Sequence, residues 1–544
     1  MNITDNDTPL ATDMAGGTHT PAACLRVRVL RVTAGSITVT DGDGRRLELC
    51  LTGATGDRTY LSHIVRAGMR LNLVCPSTEG CRADAEIVVV EPDCLIDVTA
   101  VASCFEPYGE SPALFVLGRL RPRVSASAVM LGNFASQLLD EEVHGRQDEY
   151  AGSVRKFFRH NGLAMAACSD LTPDFHAEAR RQRDNIAHAI THGLADTGCW
   201  RSDGAVVEPS FICEMLGLQG RMDLMQDDLK VLVEQKSGKA AWQPRPDGLK
   251  AHDKHRVQLM LYMAVLHYAF GIAYSEMHSY LLYSKYHDGL LRTDRPDGLL
   301  ARAMRLRNAI AATELACAGE GAGRLLWEIT PERLVTDTRG MAFMRRFAQP
   351  RIEALLRPLH EASLLERAYY LRMYRFVAAE HLLAKTGTTG CGKAGFASVW
   401  LTPAAEKIES GDMMASMTLD PVSKDEDGIS RLTLRTADKG SADMTNFRTG
   451  DTVIAYPYPA GGMPDARRTF VYRATVEDIA TDKVTLRLRA PQSCARQFDP
   501  RHDRSWAIEH DFYDSTYTSL YRSLHQLLTA TRRRRDILMA QRAP

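Results

Sequence analysis

Two carboxylates and a lysine have a spacing that could bring them together on one face of a β-hairpin. Asp223 and Glu234 flank a predicted hairpin loop at residues 227–230, and Lys236 follows Glu234 by two residues. Pairing about that loop sets the two acids opposite each other, with Cβ atoms roughly 5 Å apart, and strand alternation adds the lysine. Such close carboxylates repel each other unless a divalent cation such as Mg²⁺ or Mn²⁺ binds. Because that ion activates water and stabilises charge at phosphorus, the pattern indicates phosphodiester hydrolysis.

A predicted helix downstream carries two further candidates. Gln258 and Tyr262 lie at i and i+4 of a helix predicted over 253–271, among apolar neighbours. A buried amide and a buried hydroxyl need polar partners, which the ion or a phosphate would supply. Two alternatives stay open: the tyrosine is a satisfied core residue, and the hairpin carries ordinary surface ion pairs.

The order of these motifs resembles a known class of nuclease. The motifs are Gly217-Leu-Gln-Gly-Arg-Met-Asp223, Glu234-Gln-Lys-Ser-Gly-Lys239 and His255-Arg-Val-Gln-Leu-Met-Leu-Tyr262. They resemble those of PD-(D/E)xK nucleases of RecB type, most closely the nuclease half of the DNA-replication helicase–nucleases and next the nucleases of CRISPR adaptation. Flanking likeness at Val90–Asp97, Val129–Asp140 and Ser279–Ser284 extends the resemblance over most of residues 85–290.

The resemblance implies a role for each residue of the constellation. Asp223 and Glu234 would bind Mg²⁺ or Mn²⁺, Lys236 would be catalytic, and Gln258 and Tyr262 would support the site. The expected activity is that of a metal-dependent deoxyribonuclease.

The sequence departs from the family pattern in two ways. Ser136 stands where the family usually has a histidine metal ligand, and Asp140 and His144 follow one and two turns along the same helix face. Asp140 is therefore a candidate third ligand, unless the ion is held by fewer protein groups. Many relatives also hold an iron–sulfur cluster through four cysteines, but Cys317 and Cys391 are too few after the core, so we expect no cluster.

The expected partner is single-stranded or flapped DNA, contacted by Arg221, Lys239 and Arg256. The segment Gly387–Lys393 has phosphate-loop spacing, but Ala394 replaces the Ser or Thr that binds Mg²⁺, so we expect no ATP site. In the family a superfamily 1 helicase follows the nuclease. Here the helicase would be a separate polypeptide, or one lost by truncation.

Composition excludes several other classes of protein. Of 544 residues 45% are apolar, and 67 Lys plus Arg balance 67 Asp plus Glu, which excludes a histone-like polycation. Twelve cysteines without a C-x-x-C pair indicate free thiols in a reducing cytoplasm. The polar first 21 residues lack a secretory signal. The apolar stretch Val257–Tyr274 reads as a buried helix, so no membrane association is expected.

The predicted architecture is a multidomain α/β chain around a restriction-endonuclease-like αβββαβ core. A helix stop is predicted at Gly193, and Glu509-His-Asp511 is assigned a structural use. From Tyr521 onward six arginines accompany one acid, which indicates either a docking segment or a solvated tail. The predicted segments are a disordered tail (1–21), an OB-like β-domain (22–105), the PD-(D/E)xK nuclease core (106–295), a helical region with a Gly-rich connector (296–395), a β-barrel (396–515), and a helical stalk with a basic end (516–544).

Two other functions are alternatives to the nuclease interpretation. The first is a DNA-binding or scaffolding subunit of a helicase–nuclease complex whose catalysis is weakened because Ser136 replaces a ligand. The second is a stand-alone ATPase using the 387–393 loop, against which Ala394 argues.

Overall fold

The computed structural model is a mixed α/β protein with two closed β-barrels. It describes residues 11–12, 18–53, 56–145, 149–241, 248–293, 298–388, 395–426, 428–436, 445–500, 503–512 and 514–543. Within these ranges no helix has an apolar stretch long enough to cross a lipid bilayer. Most of the Gly-rich loop, including Cys391 and Ala394, lies outside the described residues.

The first barrel is built from strands with alternating apolar residues. Its part of the chain contains β1 (Ala11–Thr12), β2 (Thr18–His19), β3 (Cys24–Val32), β4 (Ser36–Thr40), β5 (Arg46–Cys50), β6 (Thr52–Gly53), β7 (Gly56–Asp57), α1 (Leu61–Ile64), β8 (Arg70–Glu79) and β9 (Arg82–Val90). Alternate residues such as Ile37, Val39, Leu47 and Leu49 are fully buried inside. The strands close in the order β3-β4-β5-β9-β8, so the predicted small closed β-domain is present.

Helices lead from this barrel to the core sheet. These helices, with three short strands of which β11 and β12 pair with each other, are β10 (Ile96–Asp97), α2 (Val98–Ala102), β11 (Phe105–Glu106), β12 (Gly109–Glu110), α3 (Pro112–Leu120), α4 (Ser127–Val143), α5 (Tyr150–Ala166) and α6 (Asp174–His188). A π-helical segment, Ala189–Leu194, and a 3-10 turn continue α6. The predicted stop at Gly193 is therefore wrong. The helical backbone ends at Gly198, whose φ of +70° is the left-handed conformation that ends helices.

Two sheets and one buried helix form the core. They are β13 (Ala205–Val207), β14 (Ser210–Cys213), β15 (Leu218–Arg221), β16 (Leu224–Gln226), β17 (Val231–Lys236), α7 (Asp253–Phe270), β18 (His278–Tyr283) and β19 (Leu290–Thr293). The five-stranded sheet has the order β13-β16-β17-β18-β19, and β15 joins β14 and β10 in a separate sheet. Only β17 and β18 pair in parallel within the larger sheet. Five of the six residues of β17 are buried, as expected for a strand covered on both faces.

Helix α7 packs against this core on nearly all sides. Every residue from Val257 to Phe270 except His267 is buried. The apolar stretch is therefore a buried helix, as predicted. Along the chain, helices α4 to α6 precede the antiparallel strands, and α7 and the parallel strand β18 follow them. The assignment of this succession to a PD-(D/E)xK core stays a prediction.

A helical region follows and ties the first barrel to the core. It contains α8 (Gly298–Ala318), α9 (Ala322–Glu328), α10 (Met341–Phe343), α11 (Gln349–Glu361), α12 (Leu364–Thr386), α13 (Ser398–Leu401) and α14 (Ala404–Glu409). Arg307 of α8 is fully buried and donates to the carbonyls of Gly217, Glu91 and Cys94 at 2.9–3.0 Å. Gly217 has a φ of +62°, and a Cβ there would lie 2.0 Å from Arg307 Nη2. The first glycine of the 217–223 motif thus makes room for this arginine.

The second barrel follows the helical region along the chain. It has six strands, β20 (Met413–Leu419), β21 (Ile429–Arg435), β22 (Thr452–Pro459), β23 (Tyr472–Ala480), β24 (Lys483–Gln492) and β25 (Arg504–His510), followed by α15 (Ser515–Thr529) and α16 (Arg532–Leu538). The order is β20-β21-β24-β23-β22-β25. The barrel rests on the core, because the Gln492 side chain bonds both the amide and the carbonyl of Val207 at 3.1 and 2.8 Å. The predicted division into six segments stays a prediction.

Candidate active site

The core hairpin has the register that the sequence predicts. Leu224 pairs with Val233 and Met225 with Leu232, so the next pair along is Asp223 and Glu234. Asp223 lies just before β16, and its Oδ2 accepts a hydrogen bond of 2.7 Å from the amide of Gln235. The two carboxylates are therefore neighbours, one of them fixed by backbone.

Glu234 has an asymmetric and buried environment. Its Oε1 accepts hydrogen bonds from Lys236 Nζ and Gln258 Nε2, both at 2.5 Å. Its Oε2 is buried and has no hydrogen-bond partner in the part of the chain that the structure describes. Burial, followed by the nearby Asp223 carboxylate, raises the pKa of Glu234 to about 8. A carboxylate oxygen is thus left buried without a donor, beside a second acid.

Glu208 is a third carboxylate that our sequence reasoning missed. Val207 pairs with Leu224, which sets Glu208 opposite Asp223 on the other side of β16. The amide of Glu208 donates to the Asp223 carbonyl at 3.1 Å, and its φ is +50°. Burial and Asp223 raise the pKa of Glu208 against the effect of Arg221. The pairing of β13 with β16 would have revealed this residue, because that register places Glu208 in the same row as Asp223 and Glu234.

Asp140 of α4 approaches the same row from above the sheet. Burial first, then the carboxylates of Glu208 and Asp223, raise the pKa of Asp140 well above its usual value. Ser136 is part-buried one turn earlier, and His144 directs Nδ1 at the Asp140 carbonyl of its own helix. Of Asp140 and His144, which follow Ser136 on this helix face, Asp140 is therefore the residue whose side-chain pKa is raised by the carboxylates of the row.

Gly220 and Tyr262 fix the strand that ends at Arg221. The Tyr262 hydroxyl is buried and donates to the Arg221 carbonyl at 2.6 Å. A Cβ on Gly220 would lie 2.9 Å from Tyr262 Cε1 and 3.2 Å from Val98 Cβ, so the ring needs a glycine there. Tyr262 therefore positions backbone, while Gln258 contacts a carboxylate directly.

The three predicted nucleic-acid contacts lie in different surroundings. Arg221 is about half exposed and pairs with Glu208 at 2.7 Å, at the rim of the carboxylate row. Arg256 lies on α7, 3.6 Å from Asp253. Lys239 is exposed beyond the end of β17. Arg221 is thus in contact with the row, through Glu208.

His255 also borders the site and was missed. Its Nδ1 lies 2.8 Å from the Tyr283 hydroxyl. Burial, followed by the charge of Lys236, lowers the pKa of His255 to about 3. The imidazole is therefore neutral at physiological pH, and it adds no positive charge beside Lys236.

A cleft of about 570 Å³ opens between the second barrel and the core. It is lined on the core side by Asp97, Glu208, Gly220 and Arg221, and on the barrel side by Arg473 and Arg489 among others. Because Glu208 adjoins Asp223, this cleft leads to the carboxylate row.

The donor set fits a hard divalent ion. Acid side chains from three adjacent strands form a row rather than a triangle. Among the described residues, the one group of three ligand atoms within 4.8 Å of one another is instead His188, His287 and Asp288 on the surface. Imidazole donors suit Zn²⁺, Cu²⁺ or Ni²⁺ rather than Mg²⁺. The partnerless Glu234 Oε2 beside Asp223 is the feature that an oxygen-preferring ion would satisfy.

The other residues singled out in the sequence make structural contacts. Eleven cysteines are described, all as free thiols, and Cys317 is buried near the Tyr374 hydroxyl. Glu509 is buried and accepts from Lys407 Nζ and the Tyr456 hydroxyl at 2.5 and 2.6 Å, in line with the structural use assigned to its segment. The basic end packs in part on the helical region, since Arg535 pairs with Glu366 at 3.2 Å.

Comparisons with known proteins give little additional information. No family model and no curated protein matches this chain. One solved structure, the "Putative exonuclease" from Eubacterium rectale, aligns over 41% of this chain and 81% of its own, with a TM-score of 0.26 and 12% identity. A likeness this weak carries no argument about function, which must rest on the geometry of the site.

Proposed function

We propose that this protein is a metal-dependent nuclease of the PD-(D/E)xK type that hydrolyses phosphodiester bonds. The observation that carries the proposal is the environment of Glu234. One oxygen of its carboxylate is held by Lys236 and Gln258, while the other is buried without a partner beside Asp223. Burial and the neighbouring Asp223 raise the pKa of Glu234, and an active site for a cation is a physical reason to keep two buried acids side by side.

Asp223 and Glu234 would hold the ion. Asp140 and Glu208 are close enough to influence how tightly the ion binds. Opposed like charges across strands destabilise a sheet. Lys236 and Arg221 each pair with one acid of the row, and a dication would offset the rest. Bound Mg²⁺ or Mn²⁺ would supply Lewis acidity and a water of lowered pKa.

Three side chains around the acids would have further roles in the site. Lys236 keeps an ammonium group at the edge of the row, where it can offset charge that develops on a phosphoryl oxygen. Gln258 donates to Glu234 Oε1 and helps to fix the orientation of that carboxylate. Tyr262 holds the backbone at Arg221 and therefore the strand that leads into Asp223.

The substrate we propose is single-stranded or flapped DNA, because this chain offers no motor motif of its own with intact phosphate-loop chemistry. A superfamily 1 helicase acting in trans would supply the strands. The exposed arginines of α16, Arg532 to Arg534, are the surface we propose for docking it or DNA.

Cleavage of end-labelled single strands and flaps in Mg²⁺ or Mn²⁺ tests the proposal. Asp223→Ala, Glu234→Ala and Lys236→Ala should each lower the rate by on the order of a thousandfold, and EDTA should abolish it, because ion and ligands act as a unit. Lys230→Ala is the matched control, since this lysine belongs to the same hairpin and pairs with Glu276 away from the row. If all variants cleave like wild type, the activity belongs to a contaminant or another site.

A second candidate function is a DNA-binding or scaffolding subunit with weakened catalysis. Ser136, which offers no imidazole on the helix above the row, is the observation that favours it. Wild-type protein that binds labelled strands but cleaves none of them in either ion would select this candidate.

A further inference from the structure

Two imidazoles and a carboxylate meet on the surface at the end of α6. His188 is the last residue of that helix, and His287 and Asp288 belong to the turn between β18 and β19. One possible ligand atom from each of the three lies within 4.8 Å of the other two. Two segments that are far apart in the sequence therefore bring three metal-binding side chains to one point.

A further imidazole adjoins this group. The ring of His188 is stacked with that of His287, with centroids 4.0 Å apart, and with that of His192 at 5.0 Å. His192 follows His188 by four residues, the spacing with which two histidines on one helix face bind zinc. Its Nδ1 lies 2.9 Å from Thr191 Oγ1, so Nε2 is the atom that would bind an ion. Three imidazoles and one carboxylate are a donor set that suits Zn²⁺.

The group needs only a small rearrangement to hold an ion. Zinc lies about 2.0–2.2 Å from nitrogen and oxygen ligands, so two ligand atoms on a tetrahedral ion are roughly 3.4 Å apart. The side chains of His287 and Asp288 are 66% and 91% exposed, and at present they face each other at 3.0 Å. Because solvent surrounds them, they can turn towards His188 without displacing packed neighbours.

The backbone that carries these side chains is already attached to α6. Asn185 donates to the carbonyl of Ser284 at 2.9 Å, and the Ser284 hydroxyl donates to Gln182 Oε1 at 2.7 Å. Lys285 Nζ donates to Glu178 Oε1 at 2.8 Å. Ligands on segments that are held in place lose little freedom when an ion binds.

We propose that His188, His287 and Asp288 bind a structural Zn²⁺ ion, with His192 completing the tetrahedron. The ion would fasten the turn after β18 to α6. The inference is independent of the proposed nuclease function, because it rests on a different set of ligands.

The fastened turn supports the end of β17. The amide of Ser284 donates to the carbonyl of Lys236 at 3.1 Å, and Gln182 of α6 donates to the carbonyl of Ser237 at 3.1 Å. Both the turn and the helix thus contact the backbone at the end of this strand. An ion that joins the turn to α6 would hold that backbone from two sides.

Titration of the full-length protein with Zn²⁺, in excess Mg²⁺ and without a polyhistidine tag, measures the affinity. Mg²⁺ prefers oxygen ligands, so it occupies carboxylate sites and leaves imidazoles available. His287→Ala, Asp288→Asn and His192→Ala should each weaken Zn²⁺ binding at least about tenfold. Co²⁺ in place of Zn²⁺ should give the strong visible absorption of a tetrahedral site, and His287→Ala should lose it.

His160→Ala is the matched control. His160 is an exposed histidine on α5 that does not belong to the group, so this variant should bind Zn²⁺ like wild type. If His287→Ala and Asp288→Asn bind as tightly as His160→Ala, the site is wrong. Equal Tm values in EDTA check that the variants fold. If His192→Ala alone binds like wild type, the four-coordinate structural site is wrong.

Hydrogen exchange tests the role of the ion. Saturating Zn²⁺ should slow amide exchange across residues 284–289 in wild type and in His160→Ala, and not in His287→Ala. Unchanged exchange in wild type would overturn the fastening of the turn. Zn²⁺ binding that excess Mg²⁺ abolishes would place the ion on oxygen ligands and overturn the site. Zn²⁺ binding that depends on His287, in a protein that cleaves no nucleic acid, would support this site and refute the nuclease.

Discussion

The raised pKa of Glu234 predicts that the proposed metal affinity of this protein depends on pH. Burial and Asp223 raise the pKa of Glu234 to about 8, so the carboxyl of the metal-free protein holds a proton at neutral pH. A divalent ion binds the ionised form and must displace that proton. We therefore expect Mn²⁺ affinity to rise with pH and about one proton to be released per ion bound.

The magnitude follows from the titration of one group. With a pKa of about 8, roughly a tenth of Glu234 is ionised at pH 7 and roughly a hundredth at pH 6. The apparent Kd for Mn²⁺ should therefore rise about tenfold from pH 7 to pH 6 and fall about tenfold from pH 7 to pH 9, above which it levels off. Glu234→Gln should abolish this dependence together with most of the affinity.

Isothermal titration calorimetry in two buffers of different ionisation enthalpy measures both quantities. The His287→Ala variant serves as the protein, so that the surface group of His188, His287 and Asp288 cannot contribute a competing site. A Kd that changes less than about twofold between pH 6 and pH 8 would show that Glu234 is ionised before the ion arrives. The reasoning from its burial would then be refuted.

Three other predictions follow from the same contacts. In EDTA, Glu234→Gln should raise Tm more at pH 8 than at pH 5. The raised pKa of the Glu234 carboxyl means that the wild-type protein loses stability as pH climbs from about 4.3 towards 8. An equal gain in Tm at both pH values would contradict this prediction. Tyr262→Phe should lower stability by about 1 kcal/mol by denaturant unfolding, since it removes the hydrogen bond from the buried Tyr262 hydroxyl to the Arg221 carbonyl. Asp140→Ala should weaken Mn²⁺ binding and Ser136→His should strengthen it, and unchanged titrations in both would remove α4 from the site.

Local pattern was enough to predict the parts of the fold that are contiguous in sequence. The loop at 227–230 determines the register of β16 on β17, and a one-residue shift would turn every side chain of the hairpin to the other face. The apolar run of α7 predicts a buried helix because each of its faces meets other elements. Asp223, Glu234, Lys236 and Gln258 come together for these reasons.

Contacts between distant segments could not be predicted in this way. Glu208 joins the row only because β13 pairs with β16, and nothing in its own neighbourhood marks it as functional. Arg473 and Arg489 become a pair through the barrel register, and they face the core because Gln492 anchors the barrel to Val207. A single sequence contains these residues but not the pairing of strands far apart along the chain.

Three departures from local rules meet at the carboxylate row. Glu208 has a left-handed backbone that a non-glycine residue rarely adopts, Asp223 faces acids on both sides, and Glu234 leaves a buried oxygen unpaired. Each of these features costs stability. Strained and unsatisfied groups gathered at one point of a well-packed sheet are expected where a ligand completes the structure. Because all three features involve acids, we propose that this ligand is a cation.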